Sequence, residues 1–170
     1  LPADKQDRLR EVNKQLSLLQ TKFGNNLLAD LNAYQLVIEK EEDLAGLPEG
    51  VRAAAADMAK ENGKEGKWMF GLSVPSYGPF MQYSENRELR KQMYDAYHKK
   101  GNNGNANDNK QICLDIIKLR IEKAKILGFE SPAAFILDDT MAKTSETVNN
   151  FLLEIFIAIV QEYNNIRWHY

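Results

Sequence analysis

Apolar residues recur at intervals of three or four positions through the first part of the chain. The series consists of Leu9, Val12, Leu16, Leu19, Phe23, Leu27 and Leu31. This spacing places the side chains on one face of an α-helix, and Pro2, Asp4 and Asp7 are typical of a helix start. Residues 24–26 interrupt the seam, and no sustained heptads follow. We therefore predict a helix that packs inside a bundle rather than a coiled coil.

Two short runs of β-forming residues come next, and a helical stretch separates them. Residues 34–38 and 68–72 are rich in aromatic and branched side chains, which predicts a small two-stranded β ribbon. Between the two runs, Pro48 begins a helix with alanines at 53–56, and this helix ends near Gly63.

The middle of the chain combines turn-forming residues with a further helix. Residues 74–80 contain two prolines and a glycine, which predicts a turn or an irregular helix start where aromatic rings pack. A helix is predicted over 87–100, with Ser84 as its N-cap. Residues 101–109 read GNNGNANDN, a composition typical of a loop.

A second long apolar series predicts a helix that ends at Leu127. Asn107 or Asp108 can cap its start, and Gly128 is typical of a left-handed C-cap. The apolar positions cover about half of the helix circumference, so we expect this helix to be mostly buried. They are Ile112, Cys113, Ile116, Ile117, Leu119, Ala124, Ile126 and Leu127, with Leu114 and Ile121 elsewhere on the helix.

Two residues of this helix carry specific expectations. Arg120 falls inside the apolar arc, where an unpaired guanidinium would be costly, so we expect a structural pair with Asp138 or Asp139. Cys113 is the only cysteine, which excludes an internal disulfide and a cysteine-rich metal site. Its position predicts a small buried side chain.

The last part of the chain is also helical. Ser131 caps and Pro132 starts a short helix, and Thr144 or Ser145 opens the final one. The predicted fold is therefore mainly α, a multi-helix bundle with a small two-stranded ribbon. No internal repeat or interdomain linker is visible, so we expect a single helical region over 1–170.

Composition narrows the choice of partners. Hydrophobic residues make up 44% and charged residues 27% of the chain, as in soluble globular proteins. The 22 basic and 24 acidic residues are spread along the sequence, so no basic stripe indicates nucleic acid as a partner. The longest apolar run, 155–160, is far shorter than the roughly 20 residues that span a bilayer, so we expect no membrane partner.

Several motifs stand in a specific order. They are the long first helix, EDLAGLPE at 42–49, WMFGLSVPSYGPFMQYS at 68–84, the Asn-rich loop, LRIEKAKILGF at 119–129 and MAKT at 141–144. This order resembles the thimet oligopeptidase family of zinc peptidases, which includes the bacterial peptidyl-dipeptidases and oligopeptidase A. The resemblance covers roughly 4–153, and the Asn-rich loop is most similar to the peptidyl-dipeptidase branch.

The resemblance implies a zinc enzyme that hydrolyses short peptides. In that family, two histidines of an HExxH helix and a later glutamate hold the metal, and the glutamate of the motif is the general base. The histidines of this chain, His98 and His169, lie outside any such motif. Neither they nor Tyr170 match the family residues that stabilise the tetrahedral intermediate. We therefore expect no catalytic residue and no metal ligand here, an inactive isolated chain, and zinc in the full-length family member alone.

The resemblance also implies a structural role. The helices before the active-site domain form a wall of a deep channel that admits short, unfolded peptides, so we expect a fragment from the N-terminal part of a larger zincin-like peptidase. Its partners would be short peptides and the remaining catalytic domain of the same polypeptide. Tyr77, Tyr83 and Tyr97 are candidates to face the channel, although aromatic residues near helix starts are more often core. Substrate-binding residues stay unassigned.

Two polar clusters have simpler interpretations than function. The alternating Asn103, Asn105, Asn107 and Asn109 suggest oxygen ligands for calcium, yet Asp108 is the one carboxylate nearby and the terminal glutamate is missing, so a turn and helix cap are favoured. The acidic cluster at 39–43 is typical of a solvated surface or a helix start.

The tail 155–170 departs from the family pattern, which continues from FLLE into a helix rich in alanine and charge. It reads IFIAIVQEYNNIRWHY, and we interpret it as a divergent helix, a truncation or an altered reading frame. The alternative function is a stand-alone helical interaction module without enzymatic activity that self-associates through 155–160. A third hypothesis is an independent peptidase with an unfamiliar site. We expect a cytoplasmic protein, with the periplasm as the alternative because a targeting segment can precede Leu1.

Overall fold

The structure is a computed structural model that describes residues 1–167, with side chains described as far as 163. His169 and Tyr170 lie outside the described residues. In chain order the elements are α1 (Ala3–Ala33), β1 (Leu36–Ile38), α2 (Glu49–Glu61), β2 (Trp68–Phe70), α3 (Val74–Tyr83), α4 (Arg87–His98), α5 (Lys110–Ile126), α6 (Pro132–Leu137) and α7 (Ser145–Arg167). A 3-10 turn at Glu41–Leu44 overlaps the acidic cluster at 39–43. The mainly α fold with a small ribbon is confirmed.

The chain divides into two compact units. One is formed by Leu1–Leu18 and Leu114–Tyr170, and the other by Leu19–Cys113. None of the described helices combines the length and the apolar composition that a membrane span requires.

The unit formed by Leu19–Cys113 is built on the β ribbon. The strands β1 and β2 pair antiparallel, with Leu36 opposite Phe70 and Ile38 opposite Trp68. The buried core around them consists of Leu36, Ile38, Leu44, Leu47, Ala55, Phe70, Leu72, Phe80 and Met93. The rings of Phe70 and Phe80 lie 4.7 Å apart between centroids at 59°, a tilted packing that favours aromatic pairs. The ribbon thus provides the surface on which α2 and α3 pack, and α4 packs against α3.

The segment with two prolines is a regular helix, so the prediction of a turn or irregular start is wrong over most of its length. Pro75 lies in the first turn of α3, where its missing N–H is not needed by the helix. Pro79 lies inside the helix and removes one backbone hydrogen bond. Burial of the next residue, Phe80, at 0% exposure explains why the helix continues, since apolar burial outweighs one lost hydrogen bond.

The start of α4 is capped by Asn86 rather than by the predicted Ser84. The Asn86 side chain accepts hydrogen bonds from the backbone N–H groups of Glu88 and Leu89, each at 3.1 Å. Its amide also donates to Asp43 at 2.8 Å. Ser84 instead ends α3. Both serine and asparagine are good caps. Because α3 continues to Tyr83, Ser84 is used to end that helix, and Asn86 is the residue left to cap α4.

The other unit contains the start of α1 and most of α5. Arg8 forms a two-pronged ion pair with Glu122, with Nε to Oε1 at 2.5 Å and Nη2 to Oε2 at 2.9 Å. Gly128 ends α5 with a φ of 91°, and Ser131 caps α6 by accepting from the Ala134 N–H at 3.1 Å. These predicted stop and cap signals are confirmed. Thr144 likewise accepts from the Thr147 N–H at 3.1 Å at the start of α7.

The expectation that α5 is mostly buried is wrong. Ile112, Leu119 and Ala124 are buried, whereas Leu114 and Ile117 are each 53% exposed. Apolar side chains on a helix mark surfaces able to pack, but each is buried only where another element covers it.

The expectations for Arg120 and Cys113 fail for the same reason. Arg120 is exposed, and it has no ion-pair partner among the residues whose side chains are described. Asp138 and Asp139 are also exposed, so neither compensates a buried charge. Cys113 is an exposed free thiol. A guanidinium in water needs no partner, which removes the basis of the predicted pair.

We expect Phe80→Ala to lower the free energy of unfolding by about 3–5 kcal/mol, because it leaves a cavity beside Phe70. The matched control in the same helix is Val74→Ala, since Val74 is 75% exposed and its loss should change stability by less than about 0.5 kcal/mol. Urea unfolding followed by circular dichroism measures both. Equal stability of the two variants would contradict this description of the core.

Candidate functional site

Two of the three tyrosines proposed from sequence come together between α3 and α4. The rings of Tyr77 and Tyr97 are stacked, with 4.2 Å between centroids and 19° between planes. Tyr83 is 44% exposed at the end of α3 and contacts neither ring within the described side chains. The structure therefore joins Tyr77 and Tyr97 and leaves Tyr83 apart.

Helix α4 extends this pair into an aromatic cluster, defined here as Tyr77, Tyr94, Tyr97 and His98. Residues three and four positions apart share one helix face, so α4 presents its three rings together. The His98 ring lies 4.0 Å from Tyr94 and 5.5 Å from Tyr97 between centroids. The Lys100 ammonium lies 3.5 Å from the Tyr97 centroid, a cation–π contact. Tyr97 is thus held between Tyr77 and Lys100.

The aromatic cluster has an inner part and an outer part. Tyr77 and Tyr97 are half-buried and pack against the core of their unit, whereas Tyr94 is 50% exposed. Burial, with a smaller contribution from Tyr97 and Tyr94, raises the pKa of Tyr77. The phenol therefore stays neutral at neutral pH, and the cluster offers aromatic surface rather than an ionisable nucleophile.

His98 is the one histidine within the described residues, and its hydrogen bond is to a backbone carbonyl and not to an acidic side chain. The Nδ1 atom of His98 lies 2.9 Å from the carbonyl oxygen of Tyr94, within the same helix. The nearby carboxylate of Asp95 pairs with Lys91 at 2.7 Å. A general base needs a hydrogen-bond partner that orients it toward a reacting proton. This arrangement stabilises helix α4 and does not form a catalytic pair.

The residues present do not fit the zinc site that the family resemblance implies. No group of three or more histidine, cysteine or acidic side chains in the described part of the chain can hold a metal ion. Zinc sites in proteins require three or four such ligands at one point. His98 contacts the Tyr94 ring, and the Asp95 carboxylate near it pairs with Lys91.

The Asn-rich loop is organised by a residue that the sequence analysis missed, Asp30 of α1. The carboxylate accepts from the Gly101 N–H at 2.8 Å and from three side-chain amides. These are Asn103 at 2.8 Å, Asn105 at 3.3 Å and Asn107 at 2.8 Å. Burial acts to raise the pKa of Asp30, but the hydrogen bonds together lower it, since each favours the charged form.

Two further contacts fix the end of the loop. Asn26 donates to Asn109 at 2.9 Å, and Asn109 donates to the Phe23 carbonyl at 3.1 Å. Asp108 accepts from the Lys110 N–H at 2.9 Å, so one of the two predicted cap residues contacts the start of α5. The residue directly before the helix is Asn109, whose carbonyl accepts the first helical bond from Cys113. The amide nitrogens turn toward Asp30, so the asparagines act as donors and not as cation ligands. In the sequence, the role of Asp30 was indicated by Asn26 and Asp30 themselves, two polar residues four positions apart beside the apolar seam of α1.

Comparison with known proteins identifies the family. A family model described as peptidase family M3 matches residues 80–167, which is more than half of the chain. This chain belongs to peptidase family M3. The family resemblance of the sequence motifs is thereby confirmed.

Individual M3 relatives match over nearly the whole chain. Oligopeptidase A of Haemophilus influenzae is 40% identical over 156 residues, which cover 89% of this chain and 23% of that protein. Oligopeptidase A of Escherichia coli is 36% identical, with 91% and 23% covered. Dipeptidyl carboxypeptidase of Escherichia coli is 33% identical, with 91% and 23% covered. Of these three relatives, the two oligopeptidases A share more identical residues with this chain than the dipeptidyl carboxypeptidase does. The Asn-rich loop alone had indicated the peptidyl-dipeptidase branch.

The M3 relatives also set the scale of the chain. It spans about 23% of the length of these proteins.

We expect Tyr97→Ala to lower the free energy of unfolding by about 2–4 kcal/mol, because it removes the stack on Tyr77 and a half-buried ring. Tyr97→Phe keeps both contacts and should cost less than about 1 kcal/mol. Tyr94→Ala, at the exposed edge of the aromatic cluster, should cost less than Tyr97→Ala. Urea unfolding measures all three, and a Tyr97→Ala variant as stable as Tyr97→Phe would contradict the structural role of the stack.

Proposed function

We propose that this chain is a helical part of an M3 peptidase and forms one wall of the channel through which short peptides reach a zinc site. One observation carries the proposal: the chain belongs to the M3 family yet contains no HExxH. The zinc ligands of the family then belong to the remaining polypeptide. This chain then contributes to substrate selection, because it limits which peptides can reach the zinc site, and it does not cleave the peptide bond.

The geometry of Leu19–Cys113 supports this role. A channel wall has to keep its shape while peptides of different sequence pass, which requires helices anchored on a continuous core. Helices α3 and α4 are anchored in this way, through Phe80 and Met93, both 0% exposed. They present the outer part of the aromatic cluster beside that core.

The aromatic cluster is the surface that we assign to substrate contact. Tyr94 and His98 lie outermost on α4, and both are exposed. Aromatic rings contact peptide backbones and apolar side chains without selecting one sequence. Tyr77 and Tyr97 support them from behind. The names oligopeptidase A and dipeptidyl carboxypeptidase describe relatives that act on peptides, which agrees with this chemistry.

The test replaces the matching segment of Haemophilus influenzae oligopeptidase A with this chain and compares Tyr94→Ala with Gln92→Ala. Gln92 is exposed on the same helix and lies outside the aromatic cluster. We expect Tyr94→Ala to raise KM, and to raise it more for longer peptides, while kcat changes little, because the ring contacts peptide remote from the bond that is cleaved.

Two outcomes would contradict the proposal. One is identical kinetics of Tyr94→Ala and Gln92→Ala across peptide lengths, which removes the aromatic cluster from the channel. The other is chelator-sensitive peptide cleavage, with stoichiometric zinc, by the isolated 170-residue chain, which would place the chemistry in this chain itself.

A second candidate, a helical module that self-associates, is favoured by one observation on α7. Its large apolar side chains are exposed on every side, including Phe151 at 60%, Phe156 at 62% and Ile159 at 62%. A helix that is apolar all round is normally buried, and large exposed patches mark interaction sites. In the first candidate the remaining polypeptide covers these side chains, and in the second another copy of the chain does.

Sedimentation velocity over a range of concentrations separates the two candidates. If α7 drives self-association, the wild-type chain is oligomeric and Phe156→Glu shifts it to a monomer, because a charge at a buried apolar contact is costly. Asn149→Glu is the matched control, since Asn149 is exposed on the same helix. A monomeric wild-type chain at high concentration would contradict the second candidate and leave the first unaffected.

A further inference from the structure

We propose that Asn103 is a deamidation site whose product opens the loop 101–109 that Asp30 holds closed. The proposal concerns the Asn-rich loop and is independent of the channel-wall role.

The sequence provides the reactive dipeptide. Asn–Gly is the combination most prone to deamidation, because glycine has no side chain to hinder attack by its backbone nitrogen. The chain contains two such pairs, Asn62–Gly63 and Asn103–Gly104. Asn103 and Gly104 are both exposed, and no atom lies within 4 Å of the position that a Gly104 side chain would occupy.

The reaction balances with water as the one co-reactant. The Gly104 nitrogen attacks the side-chain carbonyl carbon of Asn103, so an N–C bond forms and the bond from that carbon to Nδ2 breaks. The nitrogen's proton leaves with the ammonia that is released. Water then opens the cyclic imide to an aspartate or isoaspartate, and no group is oxidised or reduced.

The folded loop restrains this reaction from both sides. The leaving group, Asn103 Nδ2, donates to Asp30 at 2.8 Å. The attacking nitrogen of Gly104 donates to Asp108 at 3.0 Å. The nucleophile and the leaving group are therefore each held in a hydrogen bond. Both bonds must break before the Gly104 nitrogen can attack the side-chain carbonyl carbon of Asn103 and Nδ2 can depart. Asn62–Gly63 is restrained separately, by bonds to Met58 at 2.8 Å and to Lys60 at 3.0 Å in the last turn of α2.

The product reverses the electrostatics of the loop. An amide that donated to Asp30 becomes a carboxylate that can only accept, so two negative charges face each other. No cation among the described side chains compensates them, because Lys100 lies over the Tyr97 ring and Lys110 pairs with Asp108 at 3.0 Å. Like charges at hydrogen-bond distance repel strongly when they are partly buried. The loop opens at its start, where Gly101 also depends on Asp30.

The first experiment compares Asn103→Asp with Asn102→Asp in the 170-residue chain. Both variants add one negative charge to the same loop, but the Asn102 side chain makes no bond to Asp30 within the described structure. We expect hydrogen exchange of the loop amides to accelerate several-fold in Asn103→Asp and to stay near wild type in Asn102→Asp. Equal protection of the loop in the two variants would overturn the proposal.

The pH dependence provides a readout that loss of packing would not give. In Asn103→Asp, repulsion raises the pKa of the carboxyl pair, so acidification adds a proton that the two groups can share. Loop protection, corrected for the intrinsic exchange rate, should then recover in Asn103→Asp as the pH falls toward about 5, while the wild-type loop changes little because the pKa of Asp30 is lowered. An Asn103→Asp loop that stays open throughout would contradict the charge mechanism.

The second experiment measures deamidation directly. Wild-type chain and Asp30→Asn are incubated at mildly alkaline pH, and peptides containing Asn103 and Asn62 are quantified by mass spectrometry. We expect Asp30→Asn to accelerate conversion at Asn103 several-fold and to leave Asn62 unchanged. No acceleration at Asn103 would overturn the restraint by Asp30. Equal acceleration at both sites would indicate general loosening and would overturn it as well, while the comparison of Asn103→Asp with Asn102→Asp still decides whether the product opens the loop.

Discussion

The carboxylate of Asp30 is the constraint on which the connection between α4 and α5 depends. It lies on α1 and is 7% exposed, yet it has no cationic partner among the described residues, and its charge is met by four N–H donors of the loop. A carboxylate has about four acceptor positions, so the loop saturates it. Gly101 completes the arrangement with a φ of 68°, since a side chain there would meet Asn109 at 2.8 Å. The end of α4 and the start of α5 are thereby set within their unit.

The position of the aromatic cluster also depends on the connection between α4 and α5. Lys100 directly precedes Gly101 and lies 3.5 Å from the centre of the Tyr97 ring, so the fixed start of the loop also fixes the cation above the ring. Tyr97 in turn stacks on Tyr77 of α3, which packs against the core. The hydrogen bonds of Asp30 fix Lys100, and the core fixes Tyr77. Together they hold Tyr97 and the surface that we assign to peptide contact.

Membership of peptidase family M3 and the lack of an HExxH motif are compatible because family identity and catalysis lie in different residues. The motifs that identify the chain are helix stops, caps and packing positions, such as Gly128 and Ser131, and none of them has to touch substrate. The exposed apolar side chains of α5 and α7 are likewise suited to packing and not to catalysis. Ile117 and Phe156, for example, are 53% and 62% exposed.

The sequence by itself determined the elements, because helices, turns and caps are set by interactions between residues close along the chain. It predicted the ribbon, the left-handed stop at Gly128 and the turn character of the Asn-rich loop. Tertiary structure decided which apolar faces were covered, and for that reason Cys113 and Arg120 proved to be exposed. It also decided the partner of each polar side chain: Asp30 lies at least 71 positions from the loop it organises, and periodicity carries no information at that range. Burial and long-range hydrogen bonding depend on what packs against a residue, which local sequence does not contain.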